Sequence, residues 1–282
     1  ELAGARARMK AQGVDPAAIP RNNRRSMGPV GILAALAARD ARRDAGLTPE
    51  ELRSPRVGVA FGSTAGSVQS EQEFMQQLIR EKSLIGLQSS LYLQFMTHTC
   101  AANLAVFAGV QGPVIATCSA CTSGSQGIGV GYQQILLGQA EVMLAGGAEE
   151  MHFAAGAIFD VLRATSGCED PARTPRPFDA DRDGLVVSEG AGCLVLEEYE
   201  RARRRGARIH AELLGYGSSC NGVHMTNSDP EGIRLAMVGA LRDAGLSPDA
   251  IEYVNAHATA TDVGDRAEAE ATHQVLGAKV PV

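Results

Sequence analysis

The sequence predicts an α/β fold, in which helices pack on a mostly parallel sheet. The stretch from Pro113 to Gly147 alternates strand, helix and strand, because the apolar segments PVIATCS and EVMLAGG flank the helix-length segment SGSQGIGVGYQQILLG. A unit of the form A-x-R-D-A-G-L-[ST]-P-[ED] occurs twice, beginning at Ala41 and at Ala240. With 45% apolar and 21% charged residues, the composition is typical of a globular chain.

Each copy of the repeated unit closes a predicted helix. GPVGILAALAARDARRDAGL ends at Leu47 and IRLAMVGALRDAGL ends at Leu246, each with a glycine where helices commonly stop. A proline turn follows, and then a short apolar strand, VGVAFGS from Val57 and EYVNAHAT from Glu252. The copies lie too far apart for a solenoid repeat, so they indicate two related halves of one fold.

Length, charge and cysteine usage exclude several functional classes. The 282 residues suffice for one large domain or two packed ones. No apolar run reaches the roughly 20 residues of a membrane span, and the first residues, ELAGARARMK, lack the apolar core of a signal peptide. The net charge of −6 gives no reason to expect nucleic-acid binding. The six cysteines lack paired spacing and favour reduced thiols, so we expect a cytoplasmic protein without a membrane or nucleic-acid partner.

The most informative stretch is TCSACTSGS, residues 117–125, which contains Cys118 and Cys121. The predicted helix after it contains Gly124, Gly127, Gly129 and Gly131. Each glycine costs about 1 kcal/mol relative to alanine, so we expect close packing and a buried strand and helix. Cys121 would lie where the strand turns into the helix N-terminus, whose dipole stabilises a thiolate, while Cys118 would face the packed sheet. The pattern favours one nucleophile, Cys121, and one core thiol, Cys118.

Other interpretations of these residues stay open. A redox pair needs both cysteines at the helix start, with Ser119-Ala120 as the spacer. A zinc site would need two further ligands, and the sequence has no second C-x-x-C and no H-x-x-x-H. Two buried cysteines would simply pack as small apolar side chains. His257, in the segment from Glu252, would by itself be a structural histidine at a strand end.

Longer motifs resemble those of the β-ketoacyl synthases, the condensing enzymes of fatty-acid and polyketide synthesis in the thiolase superfamily. Residues 119–124 are similar to the family's T-A-C-A-S-G turn, and two later motifs are matched by GQAEVMLAGGAEE from Gly138 and FDADRDGLVVSEGAGCLVLEEYERARRRGA from Phe178. The segment VNAHATATDVGDRAEAEA, from Val254, resembles V-N-A-H-G-T-S-T-x-x-x-D-x-x-E. Thiolases usually carry Asn-Glu-Ala-Phe where this chain has NAHA at 255–258, so the synthases are the better match.

The resemblance implies a thiolase-like fold of two pseudo-duplicated α/β halves in a layered αβαβα arrangement. Residues 1–200 would form the N-terminal half, and residues 201–282 would begin the C-terminal half. Family members also have a first strand before this sequence begins, and a lysine, a second histidine and a Gly-Phe-Gly-Gly loop after the position of Val282. We therefore expect a fragment truncated at both ends of a longer protein, or a chain that does not complete the condensation alone.

The resemblance also implies a reaction and two catalytic residues. Cys121 would be the nucleophile that carries the acyl chain, and His257 would stabilise the enolate oxygen formed by decarboxylation. The reaction would be the decarboxylative Claisen condensation of that acyl chain with malonyl-acyl carrier protein, in fatty-acid or polyketide biosynthesis. Nothing calls for a metal or organic cofactor. The alternatives are a non-catalytic partner subunit resembling a chain-length factor, and a thiolase-like enzyme acting on acyl-coenzyme A.

Acyl carrier proteins are small and acidic, so the resemblance implies a basic docking patch. The candidates in RNNRRS are Arg21, Arg24 and Arg25, and a solvated charge run is the alternative for any one of them. The cluster from Arg201 to Arg208 is expected to be plain surface. Family members are usually homodimers with the strand before the nucleophile near the two-fold axis, and a heterodimer with a related subunit is the alternative.

Two residues depart from the family pattern near His257. Ala258 stands where the family usually has glycine, and Ala260 where it has serine. If position 258 requires a positive φ angle, alanine would be strained there by about 1 kcal/mol or more. Asp265 and Glu268 are expected to orient this segment or to bind arginine rather than to act as acid or base.

Overall fold

The computed structural model describes residues 14–223 and 226–282. They form two compact units. The first comprises the described residues up to His152 together with Ser188–Ala211, and the second comprises Phe153–Val187 and Glu212–Val282. The division into halves at residue 200 stays a prediction.

Eleven α-helices, two short 3-10 helices (Pro16–Ala18 and Pro248–Ala250) and four strands are found in the described part of the chain. The helices are α1 (Arg21–Arg24), α2 (Pro29–Asp44), α3 (Pro49–Leu52), α4 (Val68–Glu81), α5 (Ser89–Phe95), α6 (Thr99–Ala108), α7 (Ser123–Leu136), α8 (Phe153–Val161), α9 (Tyr199–Arg204), α10 (Pro230–Ala244) and α11 (Asp262–Leu276). The strands are β1 (Val57–Gly62), β2 (Val114–Thr117), β3 (Val142–Glu149) and β4 (Gly190–Glu197). None of the described helices is long and apolar enough to cross a membrane.

The strands form one sheet in the first unit, in the order β2-β1-β3-β4. Strand β1 pairs in parallel with β2 and with β3, whereas β4 runs antiparallel to β3. The predicted strand, helix and strand between Pro113 and Gly147 are β2, α7 and β3, so this part of the prediction is confirmed. The sheet therefore places the end of β2, where the cysteine motif begins, beside the end of β1.

Alternating side chains of the strands pack against helices on the two faces of this sheet. Val59 and Phe61 of β1, with Leu144 of β3, join a buried cluster with residues of α2 and α6. The intervening residues Ala60 and Met143 belong to a different buried cluster, against which residues of α7 pack. The side-chain period of two in a strand explains this division, and it places α7 on the opposite face from α2 and α6.

Both helices of the repeated unit form as predicted. Each begins with proline in its first turn and ends one residue before an alanine or glycine cap, and the predicted terminal glycines Gly46 and Gly245 have φ angles of 67° and 66°. This left-handed backbone is accessible to glycine without the steric cost that a side chain adds. The strand predicted after the first copy is β1.

The strand predicted from Glu252 is not formed. Residues 251–261 have no regular secondary structure. The backbone N–H of Val254 donates a hydrogen bond to the carbonyl of Pro281 at 2.9 Å. A strand requires a ladder of such bonds with a neighbour. Within residues 14–223 and 226–282, no neighbouring segment forms that ladder with this stretch.

Helix α7 is buried on its glycine face only, which corrects the expectation of a wholly buried helix. A Cβ atom added to Gly127 would lie 2.8 Å from the carbonyl oxygen of Ala60, so a larger residue would clash with the sheet backbone. On the outer side, the side chain of Leu136 is 63% exposed. Close backbone packing therefore explains the glycines, as predicted.

Candidate active site

Cys121 lies in the turn between β2 and α7, two residues before the first residue of the helix. Its side chain is exposed. Thr122 is the N-cap residue of α7. The position at the start of a 14-residue helix agrees with the prediction, because the helix dipole places partial positive charge at this end. A thiolate is stabilised by such an environment, which is the chemical requirement for a sulfur nucleophile.

The backbone before Cys121 is held in an unusual conformation. Ala120 has a φ angle of 52°, in the left-handed region that residues with a side chain rarely adopt. The carbonyl of Ala120 accepts hydrogen bonds from both the backbone N–H and the hydroxyl of Ser123, at 3.0 Å and 2.6 Å. These contacts stabilise a sharp turn from strand to helix. Sequence reasoning did not single out Ser123, although it belongs to the quoted T-A-C-A-S-G-like turn.

Cys118 is exposed, and the prediction that it is a core thiol is wrong. Strand β2 ends at Thr117, so Cys118 lies just outside the ladder. Its thiol donates a hydrogen bond to the carbonyl of Thr64 at 3.2 Å. Strand β2 is an edge strand and only Thr117 of its residues is buried, which explains why the expected burial of this strand and of Cys118 does not occur.

None of the six cysteines, all of which are among the described residues, forms a disulfide. Cys100 shows how a purely structural thiol differs from Cys121. It is buried in the cluster formed by α2, α6 and the sheet, and burial raises the pKa of its thiol to about 12. Such a thiol remains protonated at neutral pH and does not react as a nucleophile.

His257 belongs to the second unit, whereas Cys121 belongs to the first. The backbone around His257 is held by Glu268 of α11, whose carboxylate accepts hydrogen bonds from the N–H groups of His257 and Ala258 at 2.7 Å and 2.8 Å. Ala258 and Ala260 have φ angles of 49° and 60°. Because the φ angle at position 258 is positive, alanine is strained there by about 1 kcal/mol or more.

A buried aspartate organises the residues that follow. Asp265 is 1% exposed, and its carboxylate accepts hydrogen bonds from the backbone N–H groups of Ala260 at 3.0 Å and Phe178 at 2.7 Å. The guanidinium of Arg182 lies 3.6 Å from the same carboxylate and 2.9 Å from that of Asp262. Both carboxylates thus hold backbone N–H groups and that of Asp265 also contacts Arg182, as expected, whereas the expectation that neither acts as acid or base stays a prediction.

The basic residues of the two arginine clusters differ in their surroundings. Arg21 and Arg25, in and after α1, are exposed, whereas Arg24 is half-buried. In the second cluster, Arg201 and Arg205 both form ion pairs with Glu197, whose side chain is 7% exposed. The expectation that the second cluster is plain surface is therefore wrong for these two residues.

Metal-ligating side chains are not clustered in the described part of the chain. In the parts of the chain that the structure describes, no group of three or more histidine, cysteine or acidic side chains could bind a metal ion. His152 is buried and its Nε2 lies 2.7 Å from the amide oxygen of Gln72, and the imidazole of exposed His210 contacts Asp44. His224 lies outside the described residues.

Comparison with protein families matches almost the entire chain. The description "Beta-ketoacyl synthase, N-terminal domain" applies to residues 4–202, and "Beta-ketoacyl synthase, C-terminal domain" applies to residues 210–281. The chain belongs to the β-ketoacyl synthase family. The small-residue turn around Cys121 and the segment around His257 lie within the two matched regions.

Two curated relatives of this β-ketoacyl synthase chain are named as synthases. The chain is 41% identical over 251 residues to "3-oxoacyl-[acyl-carrier-protein] synthase 2" of Vibrio cholerae serotype O1, covering 88% of this chain and 60% of the relative. It is 44% identical over 249 residues to "3-oxoacyl-[acyl-carrier-protein] synthase, mitochondrial" of Arabidopsis thaliana, covering 86% and 54%. The chain thus spans little more than half of the length of these relatives.

Solved structures of β-ketoacyl synthases share the fold. A β-ketoacyl synthase from Burkholderia phymatum STM815 matches with a TM-score of 0.89 and 48% identity, over 93% of this chain and 64% of that one. The ishigamide ketosynthase/chain length factor matches with a TM-score of 0.87 and 32% identity, over 95% and 66%. A ketosynthase described in complex with its type II acyl-carrier protein, AntDE:AntF, matches with a TM-score of 0.84 and 31% identity, over 89% and 65%. The fold is therefore thiolase-like α/β, as expected.

Proposed function

We propose that the protein containing this chain is a β-ketoacyl-[acyl-carrier-protein] synthase. The observation that carries the proposal is the placement of Cys121 in an exposed turn at the N-terminal end of α7, within a chain of this family. The substrate would be an acyl chain delivered by an acyl carrier protein, and the extender would be malonyl-acyl carrier protein. Fatty-acid synthesis is the favoured pathway, since the curated relatives described above are named 3-oxoacyl-[acyl-carrier-protein] synthases.

The first half-reaction is acyl transfer. The thiolate of Cys121 attacks the thioester carbonyl, a new C–S bond forms, and the thiolate of the carrier leaves and takes up a proton. Because one thioester replaces another, the step needs little net driving force. The contribution of α7 is electrostatic, since its N-terminal end stabilises negative charge on sulfur.

The second half-reaction is condensation. The bond between the malonyl Cα and its carboxylate breaks, carbon dioxide leaves, and the electron pair forms an enolate. A hydrogen bond from the imidazole of His257 stabilises the enolate oxygen, and the carbon then attacks the acyl carbonyl on Cys121, whose thiolate is the leaving group. Glu268 assists by fixing the backbone at His257 and Ala258, and Asp265 by fixing it at Ala260.

The partner in this proposal is an acyl carrier protein. The related ketosynthase described with its acyl-carrier protein supports this assignment. Arg21 and Arg25 are exposed and would provide positive charge for an acidic carrier, with half-buried Arg24 between them. We place the protein in the cytoplasm because its cysteines are not spaced like those of a disulfide framework, and reduced thiols are typical of that compartment.

We also propose a homodimer that uses strand β2. This strand is an edge of the described sheet, and Val114 in it is 46% exposed. An edge strand presents unpaired backbone groups that a second copy would satisfy by pairing with them. A heterodimer with a related subunit would use the same edge, and measuring the mass of the purified protein in solution tests which of the two forms.

The test is covalent acyl transfer. The full-length protein that carries this sequence is incubated with an acyl-acyl carrier protein, and its intact mass is measured beside those of Cys121→Ala and Cys118→Ala variants. We expect an increase by one acyl group in the wild type and in the Cys118→Ala variant, and none in the Cys121→Ala variant. Absence of the adduct from all three proteins would reject the synthase mechanism and favour a non-catalytic partner subunit.

A further inference from the structure

We propose that Ser123 is a positioning residue that aims the thiol of Cys121 at the N-terminal end of α7. The proposal rests on the proposed function in that Cys121 is taken as the nucleophile. It adds a residue that fixes where the sulfur lies and how readily it ionises.

The hydroxyl of Ser123 forms hydrogen bonds with the backbone of the turn that carries Cys121. Ser123 is 2% exposed, and its side-chain oxygen accepts a hydrogen bond from the backbone N–H of Ser119 at 2.8 Å. The hydroxyl donates to the carbonyl of Ala120 at 2.6 Å, and the carbonyl of Ser63 lies farther away, at 3.3 Å. One buried hydroxyl therefore satisfies a donor and an acceptor on the two residues that precede Cys121.

The hydrogen bond from the Ser123 hydroxyl to the Ala120 carbonyl affects the orientation of Cys121. The carbonyl of Ala120 belongs to the peptide bond that joins Ala120 to Cys121, so the hydrogen bond fixes the plane of that peptide. With this plane and the helix start both fixed, the direction of the Cα–Cβ bond of Cys121 is fixed as well. The same bonds offset the cost of the left-handed φ angle of 52° at Ala120.

The position of Ser123 is itself restrained by its surroundings. Its carbonyl accepts a hydrogen bond from the hydroxyl of Thr117, the last residue of β2, at 2.8 Å. A Cβ atom added to Gly62 of β1 would lie 2.5 Å from the same carbonyl, so the backbone of this strand approaches it closely. Ser123 thus connects the ends of two strands to the nucleophile turn, and a rigid support of this kind suits a catalytic group.

Removal of the hydroxyl is expected to let the turn relax. In a Ser123→Ala variant the N–H of Ser119 loses its acceptor and the Ala120 carbonyl loses its short hydrogen bond. The thiol would then move away from the end of α7, so the thiolate would be less stabilised and its pKa would rise. Because a displacement of about 1 Å can cost about a hundredfold in rate, we expect acyl transfer to slow by about tenfold to a hundredfold.

The experiment compares Ser123→Ala with a matched control, Ser125→Ala, in the full-length protein. Ser125 also lies in the first turn of α7, but its hydroxyl is exposed and donates to the carbonyl of Thr122 at 3.0 Å. The first readout is the rate of iodoacetamide alkylation of Cys121 against pH, in a Cys118→Ala background. The second is the rate of acyl transfer from an acyl carrier protein, with KM and the maximal rate determined separately.

The expected result is an alkylation profile displaced to higher pH in Ser123→Ala and unchanged in Ser125→Ala. The maximal acyl-transfer rate should fall in Ser123→Ala with little change in KM, because the residues proposed for carrier docking, Arg21, Arg24 and Arg25, lie outside this turn. If the folded Ser123→Ala protein keeps both the wild-type profile and the wild-type rate, the positioning proposal is wrong.

A second variant, Thr117→Val, covers the case in which Ser123→Ala does not fold. It removes the hydrogen bond to the Ser123 carbonyl while the Ser123 hydroxyl stays in place, so a smaller displacement in the same direction is expected. An unchanged profile in Thr117→Val would then overturn the proposal. If the wild type is not acylated, the proposed function fails, whereas the alkylation profiles still decide the role of Ser123.

Discussion

The carboxylate of Glu268 accepts a hydrogen bond from the backbone N–H of His257 at 2.7 Å. Its other oxygen accepts one from Ala258 at 2.8 Å. Hydrogen bonds to a charged acceptor are stronger than those between neutral groups. Glu268 therefore fixes the backbone that carries the imidazole of His257, and we expect its removal to affect the second half-reaction more than the first.

Replacing Glu268 with glutamine should loosen this segment. A side-chain amide has one carbonyl oxygen where the carboxylate has two, so one of the two N–H groups loses its acceptor. A hydrogen bond to a charged group contributes about 1.5–3 kcal/mol, so the exchange of that amide hydrogen should become at least about tenfold faster. Malonyl decarboxylation should slow, and acylation of Cys121 should not.

The matched control for this prediction is Glu270→Gln on the same helix. Glu270 is exposed, and its carboxylate accepts a hydrogen bond from the side-chain amide of Gln274 at 3.0 Å. If the amide hydrogens of residues 257 and 258 exchange at the same rate in Glu268→Gln and in Glu270→Gln, Glu268 does not restrain the segment.

Replacing Ala258 with glycine should stabilise the protein. The φ angle of 49° destabilises the folded protein with alanine by about 1–2 kcal/mol. Glycine removes this strain, but its greater freedom in the unfolded chain offsets about 0.4–1 kcal/mol of the gain. We expect a net gain of up to about 1.6 kcal/mol in the free energy of unfolding, measured by urea denaturation. Ala256→Gly is the control, since its φ angle is not positive, and it should destabilise the protein.

The sequence was informative where local rules decide the structure. The helices closed by Gly46 and Gly245, the strands flanking α7 and the start of a helix just after Cys121 depend on neighbours in the chain, and these predictions are confirmed. The family's glycine at position 258 indicates where strain would arise if the backbone there had a positive φ angle, and the structure gives Ala258 a φ angle of 49°.

Predictions that depended on distant partners were less successful. Cys118 was expected in the core, but the order of strands places β2 at an edge, and nothing in the local pattern reveals that order. The segment from Glu252 has the composition of a strand, yet strand formation depends on a neighbour outside the segment. The ion pairs of Arg201 join residues that are far apart in the sequence, such as Glu51.

Replacing Arg201 with methionine should destabilise the first unit. The guanidinium of Arg201, 19% exposed, pairs with Glu197, whose side chain is 7% exposed. Loss of one partner leaves this buried carboxylate with Arg205 alone, which should cost about 1–3 kcal/mol in the free energy of unfolding. Arg203→Met is the control. Its pair with Glu200 is exposed, and exposed pairs contribute at most about 1 kcal/mol, so an equal loss in both variants would contradict the assignment.

Glu150 should make stability depend on pH. Its side chain is 3% exposed, and burial raises the pKa of its carboxyl in the folded protein, although the carboxylate accepts hydrogen bonds from Val30, Ser67 and Gln69. The folded protein therefore holds a proton at pH values where the unfolded chain has released it. Stability contributed by this group is present below the unfolded pKa and is lost as pH rises through the folded pKa.

A Glu150→Gln variant isolates this effect, because the amide does not titrate. The free energy of unfolding of the wild type, minus that of the variant, should fall as pH rises above the usual glutamate pKa of 4.5, by at most about 1.4 kcal/mol per pH unit. Glu198→Gln provides a control of opposite sign. Backbone N–H groups of Glu200 and Arg201 lower the pKa of the Glu198 carboxyl, so the corresponding difference should grow as pH rises towards 4.5. Urea denaturation at pH values from acidic to neutral measures both differences, and parallel curves for the wild type and Glu150→Gln would show that Glu150 does not bind a proton on folding.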